Sequence, residues 1–213
     1  MVKIIMANNT PETEFENPND FYTKVEAKRY DSNSGMKKAQ TELTNIILNL
    51  FLEETKNYSK DISILDIGCG TGFSLEFFKA IGYNNLEGIE PAKEMLLLSK
   101  EKGFSVLLGG FEDIPKVIKN RKYDLIISIS ALQWILANKQ DMEIKNKIKT
   151  LGKDLKSMLK ENGRIFIQYY PPRKEMSEIL ISSFQRVGLN AEEYLYNKGN
   201  PKKEKHILIL KHK

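Results

Sequence analysis

The feature that most constrains the fold is a glycine-rich turn that directly follows a short apolar run. The run at 62–67 ends at Gly68, and Gly70 and Gly72 follow at alternate positions. A short, nearly continuous apolar run is typical of a central parallel strand. The glycines remove side chains from the turn, so a ligand can approach backbone N–H groups, and the helix opening at 71–73 adds its N-terminal donors. The sequence therefore predicts a ligand pocket at the carboxyl end of a strand in an open α/β sheet.

Two acidic residues indicate the class of ligand. Asp66 precedes the glycines and places a carboxylate beside their N–H groups, which suits a zwitterionic amino acid better than a pyrophosphate. The G-x-G-x-G spacing also differs from the G-x-G-x-x-G of dinucleotide-binding turns. Glu90, at the end of a second predicted strand, can accept two hydrogen bonds from ribose hydroxyls. An amino acid joined to a ribose implies S-adenosylmethionine.

Strands and helices alternate along the rest of the chain, which predicts an α/β fold. This pattern indicates a mostly parallel seven-stranded sheet with helices on both faces and an antiparallel C-terminal edge. The predicted strands are 62–67, 85–90, 104–108, 123–128, 164–169, 190–197 and 204–211. The main predicted helices are 19–30, 34–53, 73–82, 91–102, 141–160 and 174–187.

The domain organisation follows from composition. Residues 1–18 contain little apolar material and are expected to form a flexible N-terminal arm. Residues 19–213 are expected to form a single domain, in which the helices within 19–54 lie over the cofactor pocket.

The composition limits the cellular environment and the partners that we expect for this protein. No window approaches the ~20 apolar residues of a membrane span, so no membrane partner is expected. The single cysteine, Cys69, excludes an internal disulfide and fits a reducing, cytoplasmic interior. Two histidines and one cysteine do not make a zinc site, so no metal is expected. The formal net charge of +5 permits a nucleic-acid partner without requiring one.

The glycine turn, together with Asp66 and Glu90, resembles the first motif of the Rossmann-like S-adenosylmethionine methyltransferases. The resemblance implies that the loop at 109–113 holds the adenine ring. Many relatives carry Asp where this chain has Gly110, so either Glu112 or Asp113 can take that role, or both can cap the following helix. The expected cofactor-binding residues are Tyr30, Asp66, Gly68, Cys69, Gly70, Gly72, Glu90, Pro91, Phe111, Glu112 and Ser128.

The same resemblance places the methyl acceptor at the end of the fourth strand, where two residues have alternative roles. Trp134, the only tryptophan, forms either a wall against a flat base or a core residue behind the pocket. Gln133 either hydrogen-bonds the substrate or caps a turn.

Two tyrosines after the fifth strand also have two readings. Tyr169 and Tyr170 precede a rigid Pro-Pro pair and can stack on an unpaired base. Alternatively, they are ordinary half-buried aromatic residues.

A narrower resemblance is carried by 128–134 and 168–171. Both segments look like those of the Bud23 family, the guanine-N7 methyltransferases of eukaryotic 18S ribosomal RNA, and the similarity extends over about residues 20–211. It implies methylation of an unpaired guanine in small-subunit ribosomal RNA. It also implies a small zinc-binding activator subunit that adds a strand beside 104–108, which should then be an exposed sheet edge.

Two other functions stay open. The segment 131–134 also occurs in malonyl-carrier-protein O-methyltransferases, which implies a carboxylate acceptor on a small molecule or carrier protein. A non-catalytic binding subunit is the third possibility. Guanine N7 has a lone pair and no proton, so its methylation needs positioning and no catalytic base. The tyrosine pair and the lysines at 198, 202, 203 and 205, which either touch phosphate or form a solvated turn, favour RNA.

Overall fold

The computed structural model describes residues 10–200 and 203–213, which contain a seven-stranded sheet. Its strands are β1 Ile64–Ile67, β2 Leu86–Glu90, β3 Ser105–Leu108, β4 Tyr123–Ile129, β5 Leu159–Tyr169, β6 Leu189–Tyr196 and β7 Lys205–His212. Their order across the sheet is β3-β2-β1-β4-β5-β7-β6. All neighbouring pairs from β3 to β5 are parallel, whereas β7 runs antiparallel to both β5 and β6. The predicted fold class is confirmed.

Helices cover both faces of this sheet. They are α1 Pro11–Glu14, α2 Pro18–Phe21, α3 Lys24–Asp31, α4 Ser34–Thr55, α5 Phe73–Ala80, α6 Lys93–Glu101, α7 Ile114–Ile118, α8 Gln133–Leu136, α9 Asp141–Met158 and α10 Met176–Arg186. One core cluster joins α7, α9 and α10 to the strands, and a second joins α4 and α5 to them. The longer helices bury one apolar stripe each; in α9 this stripe includes Ile144, Ile148, Leu151 and Leu155.

The reversal of strand order at β1 determines where along the sheet a ligand can bind. From β1 the chain passes to β2 and β3 on one side, and it returns to β4 on the other. Asp66, near the carboxyl end of β1, pairs with Gly88 of β2 and Ile127 of β4. A crevice opens at such a reversal, at the carboxyl ends of the strands.

Two predicted boundaries differ from the structure. The helix expected at 19–30 is divided, because Thr23 adopts an extended conformation and its side chain caps α3 through the N–H of Glu26. The fifth strand begins at Leu159 instead of residue 164, and the preceding helix ends at Met158. Leu159 pairs with Tyr123 before a register shift, so the Asn-Gly turn signal at 162–163 lies within a strand irregularity.

The segment before residue 19 carries more structure than we expected. Residues 10–18 include α1 and the start of α2, and the Phe15 ring lies 5.6 Å from the Phe21 ring. The side chain of Asn138 also donates a hydrogen bond to the Thr13 carbonyl, at 2.8 Å. Residues 1–9 lie outside the described residues, so the division into arm and domain stays a prediction. We call residues 10–55, which hold α1–α4, the N-terminal cover.

Strand β3 forms one edge of the sheet, as we expected for 104–108. Ser105 is exposed, and 57% of Leu108 is accessible to solvent. Among the residues that the structure describes, no helix combines the length and apolar character that crossing a membrane requires.

Candidate functional site

A cavity of about 810 Å³ lies at the carboxyl ends of β1, β2 and β4, beneath the N-terminal cover. Its wall includes the glycine turn, the end of β2, the loop after β3 and the loop after β4. Ten of the residues expected from the sequence line it: Tyr30, Asp66, Gly68, Cys69, Gly70, Glu90, Pro91, Phe111, Glu112 and Trp134. Five others, Gly72, Ser128, Gln133, Tyr169 and Tyr170, do not line it.

The glycine turn approaches the cavity because two of its residues adopt left-handed conformations. Gly68 has φ 77° and Gly70 has φ 57°, a region that favours glycine. A Cβ atom on Gly68 would lie 2.4 Å from the Cβ of Ala131, so no side chain fits there. A Cβ atom on Gly70 would lie 3.3 Å from Met95 Cε and 3.9 Å from the Tyr30 ring. The backbone therefore forms the cavity surface at this turn.

Glu90 links this turn to the segment after β2. Its Oε2 accepts a hydrogen bond from the Gly70 N–H, and its Oε1 accepts one from the Ala92 N–H, both at 2.8 Å. Only 4% of the residue is exposed, and burial raises the pKa of its carboxyl group to about 7. A carboxylate has about four acceptor positions, so it can accept further bonds from a ligand.

Asp66 brings a second buried carboxylate to the same cavity. Burial raises the pKa of its carboxyl group to about 7, a hydrogen bond with Ser74 opposes that shift, and the nearby charge of Glu90 adds to it. Two buried acids without a cation beside them favour a ligand that carries positive charge.

The loop after β3 separates the roles of its two acids. The Oδ2 of Asp113 accepts a hydrogen bond from the Gly110 N–H at 3.1 Å, and this bond, together with Lys116, lowers the pKa of Asp113. Asp113 therefore caps the turn at 111–113. Glu112 instead forms an ion pair with Lys147 at 2.5 Å, and both side chains border the cavity.

Aromatic side chains form the roof of the cavity. The Tyr30 ring stacks on Phe73 with 5.4 Å between centroids, and burial raises the pKa of its hydroxyl. Tyr22 packs edge-on against Tyr30 at 6.1 Å and lies 6.4 Å from Trp134. Tyr22 was not among the expected site residues, although it lies within the stretch of about residues 20–211 that resembles the Bud23 family.

The amide of Asn19 joins this roof to the rest of the site, and it too was absent from the residues predicted from the sequence. Its Nδ2 donates to the Pro91 carbonyl at 2.8 Å, and its Oδ1 accepts from the Lys93 N–H at 2.9 Å. The cover is therefore attached to Pro91 and Lys93, in the segment that follows Glu90.

The loop that leaves β4 forms another part of the cavity wall. Ser130 has φ 56°, which is unusual for a residue with a side chain. Its N–H donates to the Gln168 carbonyl at 3.1 Å, and its Oγ donates to Gln168 Oε1 at 2.8 Å. Trp134 follows on α8 and lines the cavity, and its role as a wall against a flat base stays a prediction.

The structure corrects the stacking role expected for the tyrosine pair. Tyr169 is fully buried, and its hydroxyl donates to Glu193 Oε1 at 2.6 Å. Its ring therefore cannot stack on a base without leaving the core. Tyr170 is 44% exposed but lies outside the cavity, where its hydroxyl accepts a hydrogen bond from Lys205. Gln133 also lies outside the cavity lining, and its Oε1 is buried with no hydrogen-bond partner among the described residues.

Two expected cofactor residues have structural roles instead. Gly72 has φ 88°, and a Cβ there would lie 2.7 Å from Ser99 Oγ and 3.2 Å from Phe104, so this glycine allows close packing behind the turn. The Ser128 hydroxyl donates to the Ile67 carbonyl at 2.8 Å and joins β4 to β1.

The lysine-bearing hairpin lies at the same edge of the sheet as the cavity. Tyr169, the last residue of β5, pairs with His206 near the start of β7, so the β6–β7 connection lies beside the carboxyl end of β5. Lys198 and Lys203 are exposed, and Lys202 lies outside the described residues. Contact with phosphate stays a prediction. Within 10–200 and 203–213, no three or more His, Cys, Asp or Glu side chains are grouped so as to hold a metal ion.

Comparison with known proteins identifies similar methyltransferases. A family model described as "Methyltransferase domain" matches residues 58–208. The 18S rRNA (guanine-N(7))-methyltransferase of Bos taurus is 32% identical over 197 residues, which cover 91% of this chain and 68% of that protein. The bud23 protein of Schizosaccharomyces pombe, which carries the same activity name, is 27% identical and covers 91% of this chain and 71% of its own length.

Two further matches are more distant. Malonyl-[acyl-carrier protein] O-methyltransferase 1 of Ilyobacter polytropus is 26% identical, with 79% of this chain and 67% of that protein covered. Among solved structures, magnesium protoporphyrin IX methyltransferase from Synechocystis PCC 6803, with bound SAM, has a TM-score of 0.63 at 13% identity. That match covers 97% of this chain and 100% of the other, and it shows the same fold.

Proposed function

This chain belongs to the Bud23 family of S-adenosylmethionine-dependent methyltransferases, and on that premise we propose that it methylates N7 of an unpaired guanine in small-subunit ribosomal RNA. The enzyme class and the cofactor follow from the family. A non-catalytic binding subunit is therefore no longer among the alternatives.

The residues of the cavity fit this cofactor. S-adenosylmethionine supplies an electrophilic methyl group on a positively charged sulfonium, and it also carries an ammonium group and a ribose. Asp66 and Glu90 provide two buried carboxylates for a ligand with positive charge and hydroxyl groups. Gly68 and Gly70 leave no side chain between the ligand and the turn. We assign the ribose hydroxyls to Glu90 and the amino-acid end to the turn beside Asp66.

The adenine ring is assigned to the loop after β3. Phe111 borders the cavity and offers an apolar face, and Pro91 lies across from Gly110. Glu112 is the better candidate to accept from the exocyclic amine, because both carboxylate oxygens of Asp113 already accept hydrogen bonds, whereas Lys147 binds only one oxygen of Glu112.

The proposed chemistry requires positioning more than proton transfer. Guanine N7 presents a lone pair without a proton, so the chain must align the base with the methyl group and exclude water. The loop at Ser130 and the indole of Trp134 form the wall on the acceptor side, and residues of the N-terminal cover, among them Tyr22 and Tyr30, line the same cavity.

The observation that best supports a guanine base as the methyl acceptor is the position of Trp134. It lines the cavity from α8, directly after the loop that leaves β4, where the acceptor is expected, and Tyr22 lies beside it. A flat aromatic base stacks on such a ring with about 1–3 kcal/mol per base. The base must be unpaired or flipped out, because a paired guanine cannot enter a deep cavity.

The test is methyl transfer from labelled S-adenosylmethionine to ribosomal subunits, total tRNA and malonyl-carrier protein in parallel. We expect label in small-subunit RNA, and we expect treatment with borohydride and aniline to cleave that RNA at one guanine. Label on the carrier protein alone would overturn the proposal.

Carboxylate O-methylation is the second candidate. The segment 131–134 resembles one in the malonyl-carrier-protein enzymes, and one such enzyme is 26% identical to this chain. An ionised carboxylate also needs no catalytic base, so the two chemistries place the same demands on the cavity. The parallel assay separates them by the acceptor that takes up label.

We propose that a partner subunit binds at the exposed edge of the sheet. Strand β3 has a free side, and a small zinc-binding activator subunit can add a strand there. Copurification of the chain with its host's zinc-ribbon protein tests this pairing. A monodisperse, fully active monomer would count against an obligate partner. The single cysteine further leads us to propose a cytoplasmic location.

A further inference from the structure

Lys102, which follows α6, contacts three separate segments around the cofactor cavity. Its Nζ donates to Asp31 Oδ1 at 2.6 Å and to the Thr71 carbonyl at 2.9 Å, and it lies 2.8 Å from Glu76 Oε1. An ammonium group has three N–H donors, so these three acceptors use its full capacity. The Lys102 side chain is 23% exposed, so water screens these contacts less than it does those of a surface lysine.

The three acceptors belong to different parts of the site. Asp31 is the last residue of α3 in the N-terminal cover. Thr71 belongs to the glycine turn, and Glu76 to the helix that follows it. Lys37 of α4 pairs with the second oxygen of Glu76. Although partial burial would raise the pKa of Glu76, hydrogen bonds from Lys102 and Lys37 lower it, so this carboxyl group is ionised.

A chain of contacts leads from Lys102 to the cavity. Its Nζ lies 4.9 Å from the centre of the Phe73 ring, within the range of a cation–π interaction. Phe73 stacks on Tyr30, and Tyr30 covers the cavity close to Gly70. The ammonium group thus lies over the ring of Phe73, and both Phe73 and Tyr30 line the cavity.

We propose that Lys102 is a positioning residue that couples closure of the N-terminal cover to S-adenosylmethionine binding. The reason is that one ammonium group binds both the cover, through Asp31, and the glycine turn, through the Thr71 carbonyl. Without it, the Asp31 and Glu76 carboxylates face each other with one cation fewer, and the Thr71 carbonyl loses its side-chain donor. The cover then separates more easily from the turn, and the cofactor dissociates more readily. This inference rests on the cofactor alone and does not depend on the methyl acceptor.

The first test compares Lys102→Met with Lys100→Met. Methionine keeps the apolar stem beside Phe73 and removes the charge. Lys100 is an exposed lysine of the same helix and forms no ion pair within the described residues, so it is the matched control. By calorimetry with S-adenosylhomocysteine, we expect the dissociation constant to rise about tenfold for Lys102→Met and to stay within about twofold for Lys100→Met.

The second readout is trypsin cleavage of the cover, which offers Lys24, Lys28, Arg29, Lys37 and Lys38. In the unaltered protein, S-adenosylhomocysteine should slow cleavage at these positions, as mass spectrometry of the fragments will show. In Lys102→Met, cleavage should be faster, and saturating ligand should protect less. A lysine with a purely structural role would change the melting temperature without changing this ligand-dependent protection.

Asp31→Asn keeps the test decisive if Lys102→Met fails to fold. This variant removes only the carboxylate of the cover and leaves Lys102 with Glu76 and Thr71. We expect the same two changes at smaller size, with a rise of about threefold in the dissociation constant. Unchanged affinity and unchanged protection in Asp31→Asn would overturn the inference.

Discussion

The hydroxyl of Ser130 donates a hydrogen bond of 2.8 Å to Oε1 of Gln168, and this bond joins the loop after β4 to the end of β5. The Ser130 N–H also reaches the Gln168 carbonyl, at 3.1 Å. Gln168 is fully buried, and its Nε2 donates to the Tyr169 carbonyl. These bonds hold Ser130 in its left-handed conformation, and Ser130 and Ala131 border the cavity.

We therefore expect Gln168→Met to lower the rate of methyl transfer without weakening the binding of the cofactor. The variant conserves approximate volume and removes both side-chain hydrogen bonds, so the free energy of unfolding should fall by about 1–3 kcal/mol. Turnover should fall about tenfold, and calorimetry with S-adenosylhomocysteine should give an unchanged dissociation constant. Ser130→Ala is the partner variant. If the two side chains act as one unit, the double variant will be no slower than Gln168→Met alone.

Tyr169→Phe is expected to cost stability and to leave turnover unchanged. Its hydroxyl bonds to Glu193 and Ser177, and burial, together with the hydrogen bond to Glu193, raises the pKa of the phenol. Loss of a hydrogen bond to a charged group should lower the free energy of unfolding by about 1.5–3 kcal/mol, measured in urea. Tyr170→Phe, at the exposed neighbour, should change it by less than about 0.5 kcal/mol. A specific loss of RNA methylation in folded Tyr169→Phe would restore a role for this residue in the acceptor site.

Trp134→Leu should reduce kcat/KM for the RNA acceptor and leave the affinity for the cofactor unchanged. Loss of about 1–3 kcal/mol of stacking corresponds to a decrease of about 5- to 150-fold. Trp134→Phe keeps an aromatic face and should retain most of the activity. Equal losses in the two variants would contradict the stacking role.

Cofactor affinity should weaken as the solution becomes more acidic. Asp66 and Glu90 both have pKa values raised to about 7 by burial, so lowering the pH from 8 to 6 protonates them in the free protein. If binding needs one of them ionised, the dissociation constant for S-adenosylmethionine should rise about tenfold over this interval. Glu90→Gln should show a smaller dependence in the same calorimetric titration.

The stability of the ligand-free protein should change in the opposite direction. A folded-state pKa above the unfolded value means that the folded chain binds protons more tightly. This contribution is complete below the unfolded pKa values near 4 and is lost as the pH rises through about 7. Ligand-free protein should therefore melt at a higher temperature at pH 6 than at pH 8, as far as these two groups are concerned.

Two glycines of the same turn should respond differently to substitution. Gly70→Val should abolish cofactor binding, because the new side chain would meet Met95 and Tyr30 at the cavity. Gly72→Ala should lower the free energy of unfolding by about 1–3 kcal/mol through its contact with Ser99, and it should bind the cofactor once folded. Gly82→Ala is the control, because Gly82 has φ 96° but no neighbour within 4 Å of its Cβ position. Loss of cofactor binding by folded Gly72→Ala would return Gly72 to the binding site.

The parts of the fold that were predictable from the sequence are those governed by local pattern. Buried parallel strands are nearly continuous apolar runs, so β4 was located within one residue. The turn with Asp66 and Glu90 was predictable because its glycines and acids stand close to strand ends. The start of β5 was not predictable from the sequence, because Gly163 packs against the carbonyls of Tyr123 and Asp124 across a register shift.

Residues that depend on tertiary contacts were beyond sequence reasoning. A shift of one position decides whether Tyr169 or Tyr170 faces the interior, and the strand end alone does not reveal it. Lys102 contacts residues that are 71 and 31 positions away, and nothing in its local sequence distinguishes it from other lysines. Asn19 meets Pro91 across 72 positions for the same reason.

The position of Trp134 also makes the protein its own optical probe. It is the only tryptophan of the chain, and it lines the cavity beside Tyr22. Indole fluorescence excited at long wavelength therefore originates from a single place, and that place is the cavity that we propose binds the ligands. Entry of a base, closing of the roof and release of product each change the polarity around one known ring, so stopped-flow emission can time these events in the unlabelled protein.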